Sequence, residues 1–344
     1  MAASVRDVAA AAGVSVGTVS NVLNRPERVA AATVERVLAV IDELGFVRND
    51  AARQLRAGRS RSIGLVVLDL RNPFFTEVAR GAEERAAERG MTVLVANSDE
   101  RADREATHLD MFEEQRVFGV LLTPVAEALP RLQRLRQRGI PAVLVDRETR
   151  EPGVASVAVD DVAGGRLAAE HLLRIGCRRL AFVGGPVAIR QVADRLQGAQ
   201  RAVAAVPGAT LELIDTPALT VAAGRAVGHR IHERPAGARP DGIFAANDLL
   251  ALGALQSLVM TGTVRVPEDV ALIGYDDIDF SSAAVVPLSS VRQPAHLIGA
   301  TAVDLLAQIA DGGSPQQEHV VFQPELVVRA STTRAGAEDV AGRE

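Results

Sequence analysis

Apolar residues at Val5, Val8, Ala9 and Ala12 recur at helical spacing and stop at Gly13, which predicts a short helix over 5–11. A second helix begins almost at once. Ser15 is a good N-cap, and Val16, Val19, Val22 and Leu23 form its apolar side, leaving Gly17, Thr18, Ser20 and Asn21 on the polar side. A third helix is predicted over 31–44, where Val34, Val37, Leu38, Ile41 and Leu44 make an apolar stripe ended by Gly45. Two helices joined by so tight a Gly-containing turn match a helix-turn-helix, whose second helix enters a DNA major groove with its N-terminal residues near base edges. Periodicity alone equally allows three amphipathic helices of an ordinary bundle.

From Ser62 onward the period changes. Short β-branched runs at 63–68, 92–95, 119–122, 142–145, 155–159, 180–183, 242–245 and 270–273 alternate with helical stretches such as 75–89, 164–175, 248–260 and 294–310. Such alternation predicts parallel sheets with right-handed crossovers, hence a doubly wound α/β fold. So many strands divide naturally into two lobes with a cleft between them. In open α/β sheets ligands lie beyond the carboxyl ends of the strands, and the residues there are polar: Asp69 and Asn72, Asp146-Arg147, Asp160-Asp161, Asn247-Asp248 and Asp276-Asp277. Each of these is also a suitable helix cap.

Charge sharpens the division. The chain carries −5 overall, yet its first sixty-one residues hold nine Arg against six Asp or Glu, a basic head on an acidic body. No apolar run approaches the ~20 residues needed to span a bilayer, so no membrane partner is expected. The N-terminal stretch has neither the apolar segment nor the cleavage site of a secretory signal, which points to the cytoplasm. The single cysteine, Cys177, lies among Leu172, Ile175 and Leu180 and suits a small core residue. His229 and His232 stand a helical turn apart, as metal ligands or as a solvated face, with no further His or Cys nearby in sequence. No cofactor is expected.

The stretch Val5-Arg-Asp-Val-Ala-Ala-Ala-Ala-Gly-Val-Ser-Val-Gly-Thr-Val-Ser-Asn-Val-Leu-Asn24 closely resembles the DNA-binding head of the lac-repressor (LacI/GalR) family of bacterial regulators. The resemblance implies that Val16, Gly17 and Asn21 choose bases and that Thr18, Ser20 and Asn24 contact phosphates, with Ser15 at the start of the recognition helix. Segment 49–61 is Ala- and Arg-rich, ends a helix-capable piece at Gly58, and has too few apolar residues to fold alone. By resemblance it is a hinge helix paired across a dimer in the minor groove, with Asn49 and Arg53 at the DNA and Leu55 as the wedge. A flexible basic linker is the other reading, and Arg48 departs from the proline many relatives carry there.

The resemblance continues through Asn72-Pro-Phe-Phe75, Arg195-Leu-Gln-Gly198, Ala246-Asn-Asp-Leu-Leu-Ala-Leu-Gly253, Ile273-Gly-Tyr-Asp-Asp277 and Arg292-Gln-Pro294, and covers essentially 4–333. It implies a core of periplasmic-binding-protein type with Phe74 or Phe75, Asp146, Asp160, Arg195, Asn247, Asp276 and Gln293 around an effector. Carboxylates, amides and one guanidinium suit a polyol, and could also hold a purine. The absence of Trp and the single Tyr275 remove the usual stacking platform for a sugar ring.

The expected organisation is a head over 1–48, a hinge over 49–61, a core over 62–333 and a disordered tail over 334–344. Lobe 1 is placed at about 62–160 plus 292–318, and lobe 2 at about 161–291 plus 319–333. The expected function is a cytoplasmic, nucleoid-associated homodimeric repressor that binds a pseudo-palindromic double-stranded DNA operator under control of a small molecule, a carbohydrate or related metabolite. The rival readings are a solute-binding protein of the same core fold, which should be exported, and an enzyme on a doubly wound sheet. The sequence has no Walker loop, no Gly-x-Ser-x-Gly elbow and no dinucleotide fingerprint after a strand, and the chain is expected not to be an enzyme.

Overall fold

The computed structural model describes residues 3–46, 60–126, 128–260, 262–313, 315 and 317–333. The chain divides into two compact units, Met1–Arg59 and Ser60–Glu344. Residues 49–59 of the expected hinge, with Asn49, Arg53 and Leu55, and the expected tail lie outside the described residues.

The first unit holds α1 (Val5–Ala12), α2 (Val16–Asn24) and α3 (Ala31–Glu43). Ser4 opens α1 with a reciprocal cap, its hydroxyl accepting from the Asp7 amide while Asp7 accepts from the Ser4 amide at 2.8 Å. Gly13 closes α1 at φ 65°, a left-handed turn that lets the N-cap of α2, Ser15, follow two residues later. Val8, Ala9, Ala12, Val19, Val22 and Val37 form the core. Three residues assigned to apolar stripes lie outside it: Val16 is 39% exposed, Leu38 49% and Leu44, just past the end of α3, 38%. Val16 is the first residue of α2, and Leu38 is replaced on the inward side of α3 by Val40.

The second unit contains two six-stranded sheets. In chain order it runs β1 (Ser62–Val67), α4 (Pro73–Glu88), β2 (Thr92–Asn97), α5 (Ala102–Glu114), β3 (Gly119–Leu122), α6 (Leu129–Gln137), β4 (Ala142–Val145), β5 (Ala155–Val159) and α7 (Asp161–Arg174). It continues with β6 (Arg179–Val183), α8 (Arg190–Ala204), β7 (Thr210–Ile214), α9 (Val221–His232), β8 (Gly242–Ala245), α10 (Asp248–Met260), β9 (Ala271–Asp276) and α11 (Asp279–Ser282). The last elements are β10 (Ser289–Arg292), α12 (Ala295–Ala310), β11 (His319–Phe322) and β12 (Glu325–Val327).

The first sheet has the order β11-β5-β4-β3-β1-β2 with every pairing parallel, and the second has β12-β10-β9-β8-β6-β7 with only β12 antiparallel. The same order recurs in each, and in each the switch point falls beside the first strand of the lobe. Three connections join the lobes: β5 to α7, β10 to α12, and β11 to β12. The placement of 319–333 wholly in lobe 2 is therefore corrected, because His319–Phe322 pair with Ser156–Val159 of the first sheet. A short strand follows whichever sheet edge offers free backbone groups, and β5 is that edge.

Each sheet buries both faces. Ile63, Leu65 and Val67 of β1 pack under α4 and α12, whereas Val66 packs with Leu109 and Phe112 of α5 on the other side. The helix pairs α4–α12, α7–α8 and α9–α10 cross in a common way. A Cβ on Gly81 would lie 2.0 Å from the His296 carbonyl oxygen, and one on Gly299 the same distance from that of Val78. A Cβ on Gly165 or Gly198 would lie 2.0 or 2.1 Å from the Arg195 or Val162 carbonyl oxygen, and one on Gly224 or Gly253 2.1 Å from that of Leu250 or Val221. At each crossing, reciprocal glycines bring the two backbones into contact.

Gly165→Val should therefore force α7 and α8 apart and lower the unfolding free energy by about 1–3 kcal/mol. The check is a lower urea midpoint at unchanged slope; an unchanged midpoint would mean the crossing is not required. A second expectation concerns His171, buried on α7 with its Nε2 2.7 Å from Thr332 Oγ1. Burial, with Arg174 adding to it, pushes its pKa from 6.5 down to about 4. The unfolded chain then binds the extra proton more readily, so this contribution is intact above about pH 6.5 and lost as pH falls toward 4. Urea midpoints at pH 7 and pH 5 should differ less in His171→Gln than in the parent protein.

Candidate functional site: an exposed helix face and a closed cleft

In the head, the polar side of α2 is presented by its first turns. Val16, Gly17, Asn21 and Asn24 are exposed, and Thr18 and Ser20 are half-buried. Ser15 caps the helix, its hydroxyl accepting from the Thr18 amide at 3.0 Å and lying 2.9 Å from Thr18 Oγ1. Asn24 Nδ2 donates to the Ser20 carbonyl at 2.8 Å and to its hydroxyl at 3.3 Å. Gly17 adds no bulk, so the start of α2 can approach another surface closely. Such a face, with amide donors at a helix N-terminus, is suited to a negatively charged groove.

In the core, the carboxyl ends of both sheets face one cleft. Its walls include Asn72, Phe74 and Phe75 at the start of α4, Asp146 after β4, Gln191 and Arg195 on α8, Asn247 after β8 and Asp276 at the end of β9. Leu68, Asp69, Glu100, Ile189, Val192 and Leu219 complete the lining. The unfilled space is about 30 Å³, room for a water or two, so the lobes are closed over their own side chains.

The closure is held by side-chain bonds between the lobes. Asn72 Nδ2 donates to Asp276 Oδ2 at 2.8 Å, and Gln191 Nε2 donates to the Asp146 carbonyl at 2.6 Å and to its Oδ2 at 2.9 Å. Asp146 and Asp276 both adopt positive φ, 55° and 104°. Residues other than glycine hold that conformation at a cost of order 1–3 kcal/mol when the surroundings impose it, and such positions cluster at ligand clamps.

Arg195 is the hub. Its Nε donates to Asp161 Oδ1 at 2.7 Å, its Nη1 to the Ala246 carbonyl at 2.7 Å, and Nη1 stands 3.9 Å from Asp276 Oδ1. The guanidinium carbon lies 3.7 Å over the centre of the Tyr275 ring. Burial opposes its charge, but the attraction of Asp161 foremost more than offsets this and holds the guanidinium above its ordinary range. Burial pushes Asp161 and Asp276 upward against the pull of Arg195. Burial foremost, and repulsion by Asp161, push Asp146 upward to about 8, toward its neutral form. Asp146 Oδ1, Gln191 Oε1 and Gln293 Oε1 are buried with no hydrogen-bond partner among the described residues.

Of the residues expected around an effector, Phe74, Phe75, Asp146, Arg195, Asn247 and Asp276 share this cleft. The two rings meet edge to face at 5.0 Å. Asn247 spends its amide on the fold, its Oδ1 capping α10 at the Leu250 amide and its Nδ2 donating to the Leu219 carbonyl. Gln293 stands behind the wall, donating to Asp276 Oδ1 at 2.8 Å. Asp160 does not line this space. Its carboxylate turns back to cap α7 at the Ala163 amide and faces a neighbouring recess with Arg147 and Arg190. The next residue, Asp161, reaches Arg195 instead. Gln191 was missed, although it precedes Arg195 by one helical turn and must share its face. His229 is exposed, His232 Nδ1 meets Thr263 Oγ1 at 3.1 Å, and no group of three or more potential metal ligands occurs among the described residues.

Family comparison bears directly on this arrangement. Residues 4–49 match "Bacterial regulatory proteins, lacI family", and residues 169–332 match "Periplasmic binding protein-like domain". The ribose operon repressor of Halalkalibacterium halodurans is 35% identical over 333 residues, 97% of this chain and 98% of that protein. The chain belongs to the lacI family of bacterial regulators. Among solved structures, the lac repressor dimer bound to operator and the anti-inducer ONPF superimposes on this family member with a TM-score of 0.83 at 28% identity, covering 97% of this chain and 100% of the other. The complex of the transcriptional regulator CelR with cellobiose gives 0.69 at 33% identity, covering 96% and 99%.

The Arg195 hub gives a stability test. Arg195→Met leaves Asp161 and Asp276 buried without their counter-charge and should cost about 3–5 kcal/mol. Asp161→Asn in the same chain should recover a large part of that loss, and simple additivity in the double-mutant cycle would remove Asp161 as the partner.

Proposed function

We propose that this chain is a DNA-binding transcriptional repressor whose affinity for a pseudo-palindromic operator is set by a carbohydrate bound in the core cleft. The observation that carries the reading is the full-length kinship with the ribose operon repressor, which joins a lacI-family head and a two-lobed core in one chain. Val16, Gly17 and Asn21 read base edges, while Thr18, Ser20, Asn24 and the amide end of α2 hold phosphates. Asn49, Arg53 and Leu55 serve the hinge. The protein acts by binding rather than catalysis and works in the cytoplasm, where its operator is.

The cleft chemistry supports an uncharged, hydroxyl-rich ligand. Among the described lining residues Arg195 is the single cation, and it is already committed to Asp161, which disfavours an anion. The unpartnered oxygens of Asp146 and Gln191 accept or share hydroxyl hydrogen bonds, and Phe74 and Phe75 supply an apolar wall. Entry of a sugar requires the Asn72–Asp276 and Gln191–Asp146 bonds to open, so ligand and lobe angle are linked, and through them the hinge and operator.

A homodimer presents two heads to successive half-sites. Its face is supported by exposed apolar side chains on the outermost strands of the sheets, Leu94 and Val95 on β2 and Leu213 on β7, with Phe280 and Val285.

A thermal-shift panel of neutral pentoses, hexoses and disaccharides tests the effector class, since a ligand at a hundredfold its dissociation constant stabilises by about 2.7 kcal/mol. The expected result is a neutral-sugar hit that also alters operator binding in a gel-shift assay; hits confined to phosphorylated or purine ligands would overturn the carbohydrate reading. Leu94→Glu combined with Leu213→Glu should shift the protein toward monomer in sedimentation and weaken operator binding about tenfold or more. A dimer unaffected by both changes would place the interface elsewhere.

A further inference from the structure

We infer that the groove between the carboxyl ends of α7 and α8 is a second ligand site, separate from the cleft, for a small phosphate-bearing anion. It is an open depression of about 540 Å³, within the size range of small-molecule sites and far larger than the free space in the closed cleft. Its floor is apolar, including Leu173 and Val206, and its rim carries Arg166, Arg174, Arg178 and Arg201 with Glu170 as the one acid.

Four guanidinium groups around one depression are conspicuous on a body that is acidic overall. Elsewhere in the core, Arg71, Arg85, Arg131, Arg234, Arg265 and Arg292 each lie against a carboxylate. In the groove, Arg166 pairs with Glu170 at 2.8 Å, and Arg178 Nη1 donates to the Leu173 and Cys177 carbonyls at 2.9 and 2.7 Å. Arg174 and Arg201 have no acidic partner among the described residues. One cation in the last turn would suffice to answer each helix dipole, but Arg166 lies two turns back on α7 and Arg178 lies beyond its end. The surplus charge converges on the groove, and a guanidinium fork is matched to phosphate oxygens. The small open volume over an apolar floor favours a phosphorylated metabolite over an acidic protein segment.

The placement couples this groove to the cleft. Its walls are the far ends of the same two helices that hold Asp161 and Arg195 together, locked by the Gly165 and Gly198 crossing. Arg201 follows Arg195 by six residues, about 9 Å along α8. An anion that draws the helix ends together would act on the Asp161–Arg195 contact through two rigid elements.

The test is calorimetric titration of the full chain with inorganic pyrophosphate and with inorganic phosphate, in chloride buffer at matched ionic strength. Saturable binding of pyrophosphate at one per chain is expected, weakened about tenfold or more in Arg174→Gln/Arg201→Gln and unchanged in the charge-matched control Arg116→Gln/Arg150→Gln. Arg201→Glu alone, with unchanged thermal midpoint, provides a second variant and should also lose binding. Absence of saturable binding, equal losses in the control, or equal affinity for a polyglutamate peptide would each overturn the site. Sugar titrations of the same variants are read separately, so a failed cleft assignment leaves this result interpretable.

Discussion

The core depends on the backbone contact at which Gly165 and Gly198 let α7 and α8 touch. Each glycine costs about 1 kcal/mol of helix propensity relative to alanine, and the return is an interhelical distance no side chain would permit. Only at that distance does Arg195 on α8 meet Asp161 on α7 at 2.7 Å, so that one buried guanidinium is held against a buried carboxylate. The pairs α4–α12 and α9–α10 use the same reciprocal arrangement, so both lobes are assembled on stiff helix pairs behind each sheet. The cleft is then the space left between two rigid bodies rather than a loose pocket.

Within that space the charges set the chemistry. Acidic side chains outnumber the single Arg195, burial drives Asp146, Asp161 and Asp276 toward their neutral forms, and two cross-lobe amide-to-aspartate contacts shut the lobes. A low-dielectric site of this kind discriminates strongly among ligands, because each unpaired buried oxygen is costly unless the ligand supplies a partner. The same bonds that close the empty cleft must exchange for ligand bonds, and this makes occupancy a lever on the angle between lobes.

Much of this was legible in residue order. The helix spacing and caps of the head follow from Ser4, Gly13 and Ser15, and the strand runs with helices between them predicted two parallel sheets. The elements that escaped are instructive. Thr210–Ile214 is an edge strand with Glu212 exposed, Ser289–Arg292 is mostly polar, and His319–Phe322 and Glu325–Val327 are short strands at the outer edges of the two sheets. Asp160 and Asp161 cannot be told apart by type. Which one caps a helix and which meets Arg195 is settled by the direction in which the chain enters α7.

By itself the sequence determined the local choices: where helices start and stop, which runs are strands, the basic head on an acidic body, and the family to which the chain belongs. These rest on interactions within a few residues, or on words long enough to be specific. The tertiary structure alone decided that Gln191 faces Asp146, that Gln293 stands behind Asp276, that β11 joins the first sheet, and that Arg174 and Arg201 share one groove. Each of these joins positions whose proximity is created by crossover connections and helix crossings, and no local pattern in the chain records that geometry.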